Sequence, residues 1–283
     1  MIFEIFSELQ YEVYLPTTFI FSVQAVRSDK QVILEETLTT DPQLMVEEIT
    51  GPEGESRFIR LKVDANNHFG IRYQARVDID YNTIHQRRLV HTVPVNKLDE
   101  DEMHYLFPSR YCQSDKLQKL AFKEFGNIET AFGKVAAITE WIYNNVEYTS
   151  GTTNSSTSAY DTLTERVGVC RDFAHLGIAL CRALTIPARY FTGYAYGLNP
   201  PDFHACFEAF IGGEWIFFDP TKLVPVNGLV KIANGRDAAD AAVATIFGSA
   251  ASTSMIVRCD CYDPGFQPLY FANTENQQGL SYQ

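Results

Sequence analysis

Three side chains in this chain have the types and spacing for thiol-based acyl transfer: Cys170, His204 and Asp219. Segment 166–187, RVGVCRDFAHLGIALCRALTIP, reads as a turn at Gly168-Val169, a helix opened by Cys170, and a stop at Pro187. Phe173, Ala174, Leu176, Ile178, Ala179, Leu180, Ala183 and Leu184 put apolar groups on nearly every side of that helix, which places it inside a domain. Cys170 is thereby expected at the tip where unpaired backbone N–H groups and the helix dipole favour negative charge, and a thiol there ionises more easily. The competing reading of any single cysteine is a small buried hydrophobe.

The second stretch, 200–221, reads PPDFHACFEAFIGGEWIFFDPT and predicts a hairpin about Gly212-Gly213, a pair that accepts the positive φ of tight two-residue turns. If Ile211 closes against Glu214, Cys206 faces Asp219 and His204 is the next residue on the same face. His204 and Asp219 are then diagonal neighbours, about 7 to 8 Å apart at the backbone and within reach through their side chains. A slip of one residue would send them to opposite faces. In that arrangement imidazole takes the thiol proton and carboxylate fixes the imidazole tautomer.

The run GVCRDFAHLGIALCRALTIPARYFTGY followed by DFHACFEAFIGGEWIFFDPT resembles the core of the transglutaminase-like superfamily, in particular its bacterial cysteine-protease-like members. The likeness covers 115–247. It implies an α+β fold, with an N-terminal antiparallel β-sandwich followed by a papain-like, transglutaminase-like core in which a central helix packs on an antiparallel sheet. It puts the nucleophile on Cys170, the histidine on His204 and the aspartate on Asp219. The family's upstream aromatic, which donates a hydrogen bond to the oxyanion, falls on Tyr160 in Ser158-Ala159-Tyr160, with tyrosine in place of the tryptophan of animal transglutaminases. The implied activity is hydrolysis of a peptide or protein amide through a thioester on Cys170, with no cofactor. An amine in place of water would make the protein an acyltransferase. A catalytically inert binding or scaffold module is the reading of a different class.

The elements that must carry these groups follow from the remainder of the chain. A length of 283 residues favours two domains, and 46% hydrophobic with 20% charged residues is ordinary for a folded protein. A net charge of -12 argues against a nucleic-acid surface. The opening MIFEIFSELQYEVYL lacks the basic and small-residue signals of a secretory leader, and no apolar run reaches membrane-spanning length, so a soluble cytoplasmic protein with no membrane partner is expected. The six cysteines form no disulfide framework, and no paired CxxC or HExxH spacing supports a metal site.

Residues 1–97 are expected to form the sandwich, 98–114 an acidic linker, and 115–283 the catalytic domain. Phe69, Ile71, Tyr73, Ala75, Val77 and Ile79 alternate with polar residues, as do Phe19, Phe21, Val23 and Ala25, and less cleanly Phe58, Leu61 and Val63. Turns are expected at 28–29, 51–54, 66–67 and 80–83. Helical spacing follows in Leu117, Leu120, Ala121 and Phe125, then in Ile128 through Val146. Polar residues 149–158 read as the rim of a cleft. Asp237 is a candidate cap for a helix over 238–245, Thr253 to Asp260 a closing strand, and the tail from 273 is expected to fray. Asp172 is expected to turn away from Cys170 into an ion pair with an arginine such as Arg189, and His175, five residues along the helix, to be a core histidine rather than the base.

Overall fold

The long strand β1 (Ile2–Val13) buries Phe3, Ile5, Ser7, Leu9, Tyr11 and Val13, every second residue, and so builds one wall of a core. The structure, a computed structural model, describes residues 1–51, 55–270 and 278–283. After β2 (Thr17–Phe21), β3 (Gln31–Asp41), β4 (Glu47–Thr50) and β5 (Arg57–Val63) comes β6 (Asn67–Ile79), whose alternation from Phe69 to Ile79 is the one expected. In β5 the inward residues are Ile59, Leu61 and Val63, so the phase is set by Ile59 and not by Phe58. Val23 and Ala25 are buried, but they follow β2 rather than extend it.

Two antiparallel sheets face each other through these residues. Tyr11 on β1 meets Phe19 on β2 at 5.1 Å between rings, and Phe19 meets Phe69 on β6 at 5.3 Å. Each sheet takes one strand from far along the chain. β14 (Ala244–Phe247) lies beside β2 in the order β14-β2-β5-β4, and β15 (Ala250–Cys261) lies beside β1 in the order β15-β1-β6-β3. The helix expected over 238–245 therefore ends early. Asp237 caps it by accepting from the Ala239 N–H at 2.9 Å, but it spans only Ala238–Ala241, because Ala244 onward pairs with Phe21.

The short β7 (Asn82–His85) leads to segment 98–114, which is more ordered than a solvated connector. Within it are helix α1 (Glu100–Met103), a fully covered Tyr105 whose ring meets Trp215 at 5.3 Å, and a buried Cys112. The Arg182 guanidinium donates to Phe107 O and Ser109 Oγ, both at 3.0 Å, and holds the segment against the core.

The helices α2 (Ser114–Phe125) and α3 (Ala131–Asn145) bury Leu117, Ala121, Phe125 and Phe132, Val135, Ile138, Ile142 respectively. Strand β8 (Glu147–Tyr148) pairs in parallel with β9 (Val167–Gly168) across α4 (Ala159–Glu165). Then comes α5 (Cys170–Ala183), buried on all sides beyond its first turn and packed between α2, α3 and α4 and a sheet ordered β12-β11-β10-β13. That sheet consists of β10 (Ala188–Ala195), β11 (Phe203–Ile211), β12 (Glu214–Phe218) and β13 (Leu229–Gly235). A Cβ on Gly177 would lie 2.5 Å from Phe207 Cε1, so glycine is what lets α5 approach β11 this closely. Helix α6 is the 238–241 turn described above.

The tail also differs from expectation. Residues 273–277 lie outside the described residues, as do 52–54 of the expected turn at 51–54, but β16 (Gln278–Ser281) pairs with β7. Tyr282 is buried and its hydroxyl donates to Val226 O at 2.7 Å. Among the described residues no helix is long and apolar enough to cross a membrane.

Candidate active site

The site is built on the turn between β11 and β12. Gly212 and Gly213 have φ of 64° and 87°, and the strands pair from Ile211↔Glu214 to Phe207↔Phe218, the register expected from the sequence. Carried past the end of β12, this register sets Asp219 opposite Cys206 and diagonal to His204. His204 Nε2 and Asp219 Oδ2 are 2.9 Å apart, and both side chains are wholly covered. Asp219 Oδ1 accepts from the Thr221 N–H at 2.9 Å and from Thr221 Oγ1 at 2.8 Å, so both carboxylate oxygens are held.

Burial opposes a charge on His204, yet Cys206 and the Asp219 carboxylate beside it, with hydrogen bonding from Asp219 and Cys170, raise the imidazole well above its usual range. Nε2 is committed to Asp219, and Nδ1 has no aligned hydrogen-bond partner, although the Cys170 side chain is near enough to act on the ring. This leaves Nδ1 as the nitrogen available to a proton from Cys170. Contacts of this kind are commonly misaligned before a substrate binds.

Cys170 is the first residue of α5 and is half-buried. Together with His204 it lines a cleft of ≈ 410 Å³, whose walls include Tyr111, Tyr190, Ala238, Ala241, Val243 and Met255. The last two come from beyond α6, so the C-terminal strands that complete the sandwich also complete the cleft.

The tyrosine beside Cys170 is Tyr148, not Tyr160. Burial and the Cys170 sulfur push the Tyr148 hydroxyl up to about 12, so Tyr148 lies near enough to Cys170 to interact with it. Tyr160, the position marked by family resemblance, lies on α4 with Lys116 Nζ 5.3 Å from its ring centre; it and Tyr148 are similarly exposed, at 42% and 40%, and neither is part of the cleft wall. The β8–β9 pairing puts Tyr148 opposite Gly168, two residues before Cys170. A two-residue parallel pairing carries almost no sequence signal. Thr221, which steadies Asp219, was also unmarked, although it follows directly in the Asp-Pro-Thr run.

Asp172 is turned from the thiol, but its partner is Arg171 at 2.9 Å and not Arg189. It also accepts from Thr153 Oγ1 at 2.7 Å and from the Val169 N–H at 3.0 Å, which caps the helix and ties down the 149–158 rim. Arg189 instead pairs with Glu208 at 2.6 Å. His175 is a core residue. Its Nε2 accepts from the Ala238 N–H at 3.1 Å, its ring lies 5.0 Å from that of Tyr111 in parallel, and burial pushes its pKa down to about 3.

His204, Cys206 and Asp219 offer donor atoms within 4.8 Å of one another, a set that a divalent metal could in principle use. The atoms satisfy each other instead. Nε2 and Oδ2 are hydrogen-bonded, Oδ1 is taken by Thr221, and burial pushes the Cys206 thiol up to about 12, far from the thiolate a metal needs.

Comparison with known proteins bears on the family and the fold. Residues 118–220 match the transglutaminase-like superfamily, and residues 1–101 match the bacterial transglutaminase N-terminal domain. A solved structure from Cytophaga hutchinsonii, described as a putative cysteine protease, is 63% identical, with a TM-score of 0.98, over 100% of this chain and 98% of that one. An uncharacterized protein of Mycobacterium leprae is 34% identical over 117 residues, and one of Mycobacterium tuberculosis is 36% identical over 115 residues. These alignments span 38% and 35% of this chain but only 42% and 36% of the mycobacterial proteins.

Proposed function

The chain belongs to the transglutaminase-like superfamily, and from that premise we propose that it is a thiol hydrolase cleaving a peptide or protein amide through a thioester on Cys170. The observation that carries the reading is the alignment of groups behind one cleft: Cys170 and His204 on its wall, and Asp219 bonded to the far nitrogen of His204.

In the first half-reaction Cys170 Sγ bonds to the substrate carbonyl carbon while the thiol proton passes to His204 Nδ1. Asp219 holds the ring and stabilises the imidazolium that forms. The carbonyl oxygen becomes an anion facing the Cys170 N–H, with the Tyr148 hydroxyl, which interacts with Cys170, as the second donor. The C–N bond then breaks, and the proton on His204 goes to the departing nitrogen. In the second half-reaction water attacks the thioester carbon and gives a proton to His204, and the C–S bond breaks to restore the thiol. Passing the same thioester to an amine would form a new amide. Hydrolysis is favoured by the likeness to the Cytophaga hutchinsonii protein.

Two measurements test this. Under limiting iodoacetamide, Cys170 is expected to be modified at least tenfold faster than the other five cysteines, and more slowly in His204→Ala; uniform slow labelling would defeat the reading. Incubation with a mixed peptide library and a labelled primary amine is expected to give cleavage. Amine incorporation without cleavage would make the protein an acyltransferase.

A further inference from the structure

The active-site cleft holds one acidic side chain that the chemistry above does not use. Asp202 lines the same cavity as Cys170 and His204 and precedes β11 by one residue. The extended chain puts it about 7 Å along from His204 on the same side of the strand. Its Oδ1 accepts from the Phe203 N–H at 2.7 Å, which aims the carboxylate and leaves the second oxygen without a partner among the described residues. The positive group that acts on it is His204.

Its surroundings heighten its influence. Among the described residues Arg171 is the sole arginine or lysine on the cleft wall, and its Nη2 is engaged by Asp172 at 2.9 Å and by Asn154 O at 2.8 Å. The opposing wall is made of Ala241, Val243, Ala244 and Met255, which offer no charge. Burial pushes the Asp202 carboxyl up, against the pull of the Phe203 N–H and His204. Asp202 is itself exposed, and a carboxylate on a cleft whose other walls are largely apolar gains from a cation that enters with the substrate.

The side of the cleft follows from the proton path. His204 delivers its proton to the departing nitrogen, so the amine half of the substrate leaves past His204, toward Asp202. We propose that Asp202 is a specificity-determining residue that selects a basic side chain on the substrate residue immediately following the scissile amide. The inference rests on the thioester reading, because that reading fixes which half of the substrate lies beside His204.

The test uses alkylating agents, so that its readout does not depend on turnover. Iodoacetyl-lysine amide, iodoacetyl-norleucine amide and iodoacetyl-glutamate amide present the same reactive carbon with a cationic, neutral or anionic residue on the amide nitrogen. The Cys170 sulfur displaces iodide from each, and modification is followed at Cys170 by mass spectrometry and normalised to the rate with free cysteine. Wild-type protein is expected to favour the lysine reagent over the norleucine reagent about tenfold. That ratio should fall to about one in Asp202→Asn, and Asp202→Lys should favour the glutamate reagent. An unchanged lysine-to-norleucine ratio in Asp202→Asn, or no lysine preference in the wild type, overturns the proposal. Fast and equal labelling by all three reagents defeats the Asp202 proposal alone. Labelling of Cys170 no faster than the other cysteines defeats the thioester reading, while the ratio among reagents is still measured.

Discussion

His204 Nε2 and Asp219 Oδ2 meet at 2.9 Å where neither side chain touches solvent. A covered pair of this kind leaves the imidazole one tautomeric choice, because the carboxylate accepts and Nε2 must carry the hydrogen. The consequence is that Nδ1 is the basic nitrogen at neutrality of the ring.

Asp219→Asn keeps the shape and the Thr221 contacts but can present an N–H where an acceptor is required. The expected outcome is a fall of about 10³–10⁴ in kcat on a cleaved peptide, as in triads whose carboxylate becomes an amide. A loss of less than tenfold, in protein whose melting temperature is unchanged, would remove Asp219 from the chemistry.

Tyr148→Phe deletes the hydroxyl at Cys170 and little else. Loss of one oxyanion donor is expected to lower kcat by about 10² with KM nearly constant. The matching Tyr160→Phe change, on a side chain that faces Lys116 and solvent, is expected to stay within about twofold of wild type. The reverse ranking would restore Tyr160 to the site.

His175 sets an acid limit on stability. Burial lowers its pKa to about 3, whereas in the unfolded chain it titrates near the ordinary imidazole value of about 6.5. Between these values the unfolded state binds the proton and the folded state does not, so this histidine makes stability fall as pH falls from about 6.5 to about 3. His175→Gln can retain an acceptor for the Ala238 N–H and cannot titrate. Melting temperature against pH should be flatter over that window in the variant, and an identical slope would assign the acid loss to other groups.

Gly177→Ala introduces a methyl 2.5 Å from Phe207 Cε1. The overpacked α5–β11 contact should cost about 1–3 kcal/mol in denaturant unfolding. Adding Phe207→Leu should recover part of it, a coupling that a double-mutant cycle reads directly. Additive losses would place the strain elsewhere.

Much of this was legible in the chain because the decisive signals were local. Gly212-Gly213 fixed a turn, the turn fixed a register, and the register put His204 and Asp219 on one face as diagonal neighbours. Gly168 and Pro187 bracketed α5 in the same way. What escaped depends on contacts between distant segments. Tyr148 reaches Cys170 through a pairing of two residues with two. Arg189 was the arginine expected for Asp172, but the folded chain gives Glu208 to Arg189 and Arg171 to Asp172. Thr245, Ile246 and Phe247 are strand-prone types, and β2 offers the edge on which that preference is realised. The tail reads as polar and loose, yet its Leu280 and Tyr282 are captured by the core.

The borrowing of β14 and β15 by the N-terminal sheets bears on how the molecule comes into being. While a ribosome is still short of residue 244, β1 and β2 each have a bare flank and the groove over Cys170 lacks Val243, Ala244 and Met255. A chain folded without these residues has an unfinished pocket, and the same segment closes both the sheets and the groove.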